Sequence, residues 1–270
     1  MTDQPCWAPP ETDPKRANAA RVYDYWLGGD HNFLADQDLG RAMAAIEPNI
    51  RAITQAGRAF LGRAVRFLAA SGIRQFLDIG SGIPTQANVH EVAQAAAPGS
   101  RVVYADIDPV VVAHSKAILA GHDNAAAVQA DLREPGKILA SDVVQSQLDF
   151  SQPTGLLLLA VLHFVADRDD PGRIVATLRD ALAPGSYLVL THGTDENDPA
   201  RARAAATLYN RSVPTQVYAR SRAQIRRLFD GFDLVEPGLV NVVQWRPDAP
   251  GDVPADPGRF ASLVGVARKP

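Results

Sequence analysis

Phe76-Leu77-Asp78-Ile79-Gly80-Ser81-Gly82-Ile83-Pro84-Thr85 is the stretch that decides the fold of this chain. A short apolar run ends in an aspartate, turns through Gly-x-Gly, and meets a proline suited to the first turn of a helix. A parallel α/β sheet builds a nucleotide-like site just beyond a strand end in this way. The spacing predicts a strand over 75–79 and a helix starting near Pro84.

Strand and helix patterns then alternate. Strands are predicted at 101–105, 125–130, 155–160 and 187–191, the fourth nearly all leucine, as a strand buried on both faces should be. Asp108-Pro109 opens a helix to about Ala120, a short helix falls near 136–144, and Asp170-Pro171 opens another. Helices follow from Pro199 to about Arg211 and from Ser221 to Phe229. The late apolar stretches 239–245 and 260–267 suit an antiparallel pair at one sheet edge. Before the first strand, residues 15–72 read as a helical cap whose last helix carries Ile53, Phe60, Leu61, Ala64 and Leu68 on one stripe, with Arg51, Arg58 and Arg66 off it. Gly28-Gly29 stops the first cap helix and is a candidate hinge. The expectation is a loose tail over 1–14 and one α/β domain over 15–270. Its doubly wound sheet is mostly parallel, over 73–270, with an antiparallel C-terminal pair.

Composition narrows the partners. A net charge of -3 and a pI near 6.1 give no global attraction to nucleic acid or an anionic membrane. Cys6 is the single cysteine, so neither an internal disulfide nor a cysteine metal cluster is expected. No two histidines have metal-ligand spacing, and no metal is expected. The polar, proline-rich start lacks an apolar signal region and no run is long enough to span a bilayer, so the expected address is the cytoplasm.

Three acids arrive at successive strand ends: Asp78, Asp106 and Asp131. Three carboxylates around one crevice suit a ligand rich in hydroxyl, amine and cationic groups better than a pyrophosphate. A dinucleotide fingerprint wants a third glycine where Thr85 stands, and no Gly-Lys-Ser/Thr is present. S-adenosylmethionine fits this chemistry: its ribose diol can donate to Asp106, its adenine amine to Asp131 beside Leu132, and glycines at 80 and 82 allow close backbone approach.

The strand ends Asp78-Ile79-Gly80-Ser81-Gly82, Tyr104-Ala105-Asp106-Ile107-Asp108-Pro109 and Ala130-Asp131-Leu132 resemble those of class I S-adenosylmethionine-dependent methyltransferases, which are Rossmann-like. Arg21 to Gly29 with Asn32-Phe33, together with Glu236-Pro237-Gly238-Leu239-Val240 and Trp245-Arg246-Pro247, resemble more narrowly the actinobacterial S-adenosyl methyltransferase family once catalogued as a domain of unknown function. The resemblance runs from about residue 15 to the end of the sequence. It implies that Asp78, Gly80, Ser81 and Gly82 line the methionine end of the cofactor, that Asp106 holds the ribose and that Ile107 packs on adenine. It places Asp131 with Leu132 at the adenine amine, and Ala160 and Val161 under the methyl-transfer region.

His163 and His192 follow the fourth and fifth strands and are candidates for a general base, His163 foremost. The aromatic N-terminal segment is a candidate lid, with Tyr25 as the cofactor-facing ring. Asp108 reads as a helix cap, and the arginine-rich helices around Arg201 to Arg227 as a solvated face. The expected function is methyl transfer to a small-molecule acceptor, with no nucleic acid or membrane partner. A cofactor-binding scaffold or sensor and an NAD(P)-dependent oxidoreductase are the alternatives.

Overall fold

The computed structural model describes residues 5, 7–9, 12–84 and 87–270. Cys6 and Thr85 lie outside these. Strands β1 (Gln75–Ile79), β2 (Arg101–Asp106), β3 (Ala125–Gln129), β4 (Gly155–Leu159) and β5 (Tyr187–Gly193) are parallel. They take the order β3-β2-β1-β4-β5, which continues into β8 (Ser262–Arg268), antiparallel to β5. Two-residue strands β6 (Asp233–Leu234) and β7 (Val240–Asn241) both pair with β8. Strand order reverses between β1 and β4, so the crevice for a ligand opens beyond their carboxyl ends.

Side chains alternate across the sheet and build two cores. Leu77, Ile79, Val103, Leu156 and Leu158 pack one way, against α6 (Pro135–Leu139), α7 (Asp142–Gln147), α8 (Pro171–Ala181) and α10 (Arg222–Arg227). Phe76, Val102, Tyr104, Leu157 and Val189 pack the other way, against α3 (Ile50–Ala70) and α4 (Val89–Ala96). The same alternation sends Asp78 to the α3 side of the sheet. A third core joins α1 (Ala19–Leu27) and α2 (Leu34–Ile46) to α9 (Pro199–Ser212) through Val22, Trp26, Leu39, Met43 and Tyr209.

Local rules explain the cap. Asn18 accepts from the N–H groups of Ala20 and Arg21 and so starts α1. Asp36 accepts from the Arg21 guanidinium at 2.8 Å and from the N–H groups of Asn18 and Phe33, joining α1 to α2 in a buried ion pair. The two glycines after α1 do different work. Gly28 closes the helix at φ +85°, where a side chain is disfavoured. Gly29 lies against Asp24, and a Cβ there would fall 2.1 Å from its carboxylate oxygen. Because Asp24 also accepts from His31 N–H and Asn32, the pair is packed as a lock, not as a hinge.

The fold departs from the sequence expectation in four places. The helix after β1 begins at Val89, not near Pro84, because Asn88 and Glu91 form the capping box that starts it. The 136–144 segment is two short helices, α6 and α7. Only Val240–Asn241 of the 239–245 stretch is strand, because Trp245 turns into the core against Phe60 and Phe67 while Arg63 holds its carbonyl. Within the expected loose tail, Ala8 and Thr12 are buried, and Trp7 stacks on Phe33, His31 and His114. Among the described residues, no helix is long and apolar enough to cross a membrane.

Two substitutions test the glycine lock. Gly29→Ala is expected to lower stability by about 1–3 kcal/mol through overpacking, and Gly28→Ala by about 1 kcal/mol through its left-handed backbone. Urea unfolding measures both, and an unchanged Gly29→Ala protein would contradict the packing described.

Candidate active site

A cavity of about 1250 Å³ opens beyond the strand tips, above the usual ~300–1,000 Å³ of a small-molecule pocket. Its floor comes from the carboxyl ends of β1, β2 and β4 and the loops after them. Its roof comes from α1, α2, α3 and α9. Asp78, Gly80, Ser81, Gly82, Asp106, Ile107, Asp131, Leu132, Ala160, Val161 and His163 all line it. Asp78, Asp106 and Asp131 thus share one rim of the sheet.

The two inner carboxylates are buried. Burial pushes Asp78 from its usual 3.8 up to about 7; Arg58 pulls in the opposite direction and Asp106 adds to the rise. Burial likewise raises Asp106 to about 6, although N–H groups of Asp108 and Gly82 donate to it at 2.9 Å. The outer acid differs. Burial works against ionisation of Asp131, but hydrogen bonds from Arg133 outweigh it and hold the carboxyl below its usual range.

Hydrogen bonds run without a break from the cap to the strand tip. Asn18 N–H donates to Asp36, Asn18 Nδ2 donates to Asp108 Oδ2 at 2.6 Å, and Asp108 N–H donates to Asp106. Asp108 also caps α5 (Pro109–Ile118), as its position before Pro109 predicts.

Backbone geometry keeps the floor open. Gly80 sits at φ +75°, and a Cβ there would lie 2.3 Å from Val161 Cγ2. Gly82 sits at φ +67°, which frees its N–H to reach Asp106. Ala160 holds φ +52° after β4, with its N–H on Thr191 Oγ1. Ser81 Oγ is buried without a hydrogen-bond partner, and Ile107 is 53% exposed, an unusual state for a large apolar side chain.

Several placements differ from expectation. Tyr25 lies outside the cavity lining, on Gly40 and under the Arg51 guanidinium; Tyr23 and Trp26, on the other face of α1, line it instead. Arg58, off the apolar stripe of α3, lines the cavity with Thr54, Gly57 and Leu61 on one face of that helix. Its position at i, i+4 from Thr54 was the available signal. His192 is committed elsewhere: Nδ1 meets Gly193 O at 2.6 Å and Nε2 meets Arg220 at 3.0 Å. Burial pushes His192 down to about 4. His163 stays at the cavity, where burial, His192 and Arg220 lower it to about 3, so it is uncharged at neutral pH. Its Nδ1 has no hydrogen-bond partner.

The Asp78 environment has a sign that can be measured. A carboxyl whose folded pKa is raised contributes stability below its unfolded pKa of 3.8 and loses it as pH rises through about 7. Asp78→Asn is therefore expected to exceed the parent by a margin that grows from pH 5 to pH 8, by roughly 1.4 kcal/mol per pH unit up to about pH 7. Thermal unfolding at the two pH values checks this; an equal difference at both would contradict it.

The likenesses to known proteins agree with this geometry. A search of the curated proteins gives no match. A solved structure from Thermobifida fusca YX, named as a candidate methyltransferase, is 42% identical with a TM-score of 0.92, covering 98% of this chain and 99% of its own. A DUF574 family protein from Streptomyces avermitilis MA-4680 is 41% identical with a TM-score of 0.91, covering 96% and 99%. The N-methyltransferase NodS from Bradyrhizobium japonicum WM9, solved with S-adenosyl-L-homocysteine, shares the fold at 17% identity and a TM-score of 0.50, covering 87% and 97%. Residues 5–270 match a single family description, and the chain belongs to the S-adenosyl methyltransferase family.

Proposed function

We propose that the protein transfers a methyl group from S-adenosylmethionine to a small-molecule acceptor held under the cap. What carries this function is the convergence of two buried carboxylates, a Gly-x-Gly turn with both glycines at positive φ, and a bare isoleucine on one cavity. These features fit the cofactor's parts. Asp106 would accept the ribose hydroxyls, Ile107 would cover one adenine face, and Asp131 with Leu132 would meet the adenine edge. Asp78 would face the ammonium, and Arg58, from the cap side, the carboxylate. Gly80 and Gly82 would let backbone approach, and Ser81 Oγ would gain a partner. When bound, S-adenosylmethionine supplies a methyl group on cationic sulfur.

The chain's own contribution is placement and exclusion of water. Ala160 and Val161 floor the region between cofactor and acceptor. His163, uncharged and at the cavity, would orient an acceptor O–H or N–H; with a pKa near 3 it is too weak a base to hold the departing proton for long. Tyr23 and Trp26 close the cap side.

A dinucleotide is a poor occupant. α4 begins at Val89, well past the Gly80–Gly82 turn, so among the described residues no helix starts at that turn to receive a pyrophosphate. Glu91 already occupies the first turn of α4.

Calorimetry tests the assignment. S-adenosyl-L-homocysteine is expected to bind the parent and to bind Asp106→Ala at least about tenfold more weakly, a loss of about 1.4 kcal/mol; NAD is expected not to bind. Arg58→Leu is expected to weaken S-adenosyl-L-homocysteine about tenfold while leaving 5′-methylthioadenosine, which lacks the amino-acid end, unchanged. Equal affinity of Asp106→Ala and parent would remove the ribose assignment, and equal loss of both ligands in Arg58→Leu would remove the carboxylate assignment.

A further inference from the structure

We infer that the cap-side half of the cavity is a subsite for an uncharged, flat aromatic acceptor carrying a hydroxyl group. This rests on the methyl-transfer function proposed above and names the acceptor class. The cofactor half lies beyond β1, β2 and β3; the other half lies beyond β4 and β5, under α1, α2 and α9.

Three observations define the occupant. First, aromatic rings reach this half from separate elements: Tyr23 and Trp26 from α1, Phe164 from the turn after β4, Tyr209 from α9 and Tyr218 from the loop after it. Phe164 and Tyr209 stack at 6.2 Å with an interplanar angle of 29°, and His163 meets Phe164 edge-on at 4.3 Å. Flat rings arrayed in this way offer faces and edges to another flat ring. Second, α9 turns Ala202, Ala205 and Ala206 toward the cavity, at helical spacing. Apart from Tyr209 and the ion-paired Arg201, α9 presents small side chains to this space.

Third, the charges here are already matched. Arg201 lies 3.6 Å from Glu47 and 3.2 Å from Asp198. Arg220, behind His163, is spent on the carbonyls of Leu162 and Val165, on Asp167 and on His192. At the rim, Arg168 lies 3.9 Å from Asp169, and Arg259 stacks over Phe260, with Asp256 lining the same cavity. A charged acceptor would lose hydration without gaining a free counter-charge, whereas a neutral ring loses little. Among the polar groups here, His163 offers a neutral imidazole whose Nδ1 has no hydrogen-bond partner and can pair with one hydroxyl.

The probes are 2-naphthol, 2-naphthoate and 2-decalol, which share size and differ in charge and flatness. Each is titrated calorimetrically into protein saturated with S-adenosyl-L-homocysteine and into protein without it. The expected result is that 2-naphthol binds at least tenfold more tightly than either of the others. Ala206→Phe, which fills the subsite from α9, is expected to abolish that binding and leave S-adenosyl-L-homocysteine affinity unchanged. Tyr209→Ala is expected to weaken 2-naphthol about tenfold; because Tyr209 is also part of the cap core, Ala206→Phe is the deciding variant. Comparable binding of 2-naphthoate or 2-decalol, no binding of 2-naphthol, or 2-naphthol binding indifferent to Ala206→Phe would overturn the subsite. If S-adenosyl-L-homocysteine fails to bind while 2-naphthol still binds in an Ala206-sensitive way, the cofactor assignment falls and the aromatic subsite stands.

Discussion

Two carboxylates withheld from water at the tips of adjacent parallel strands are the constraint on which the rest of this structure depends. Asp78 and Asp106 are both buried, and burial raises both above the ordinary carboxylate range. Ionised side chains in such a place are unfavourable unless donors or cations surround them. The surrounding parts serve that need. Gly82 adopts a left-handed backbone and presents its N–H to Asp106, Asp108 caps α5 and adds a second N–H, and Arg58 approaches Asp78 from α3. Deep strand cores on both faces of the sheet hold these tips in place.

The cap is coupled to the same carboxylates. Asp36 gathers Arg21, Asn18 and Phe33, Asn18 reaches down to Asp108, and Asp108 donates to Asp106. Cap placement and the Asp106 strand tip therefore share one hydrogen-bonded chain. The glycine pair after α1 belongs to this arrangement, since Gly29 makes room for Asp24 while Asp24 fixes the turn that carries His31 and Asn32. On the far side, Trp245 and Arg63 fasten the C-terminal segment to α3, the helix that lines the cavity at Arg58. The late Trp-Arg-Pro motif thus helps to hold the roof in place through Trp245.

Much of this was legible in the residues. Short apolar runs and Asp-Pro helix starts located the parallel strands and most helices, because buried strands and capped helices obey short-range rules. Asp78, Asp106 and Asp131 were legible as a group because strand tips share one edge of a parallel sheet. What escaped was decided by contacts between distant segments. Nothing near Pro84 shows that Asn88 and Glu91 will start α4. Tyr23 and Tyr25 are two residues apart on one helix, and only the packing of Gly40 against Tyr25 turns Tyr23 to the cavity. Arg58 was placed only off the apolar stripe of α3, because the open strand tips it faces are set by the sheet. His192 was a candidate by position, but Arg220, far along the chain, takes its second nitrogen.

The central claim is that a cationic, hydroxyl-bearing cofactor ionises these buried carboxylates when it binds. Calorimetric titration of S-adenosyl-L-homocysteine at pH 6 in buffers of different ionisation enthalpy counts the protons exchanged on binding. With Asp78 near 7 and Asp106 near 6 before binding, net release of about 1.4 protons is expected. Binding with no proton release, or with uptake, would contradict it.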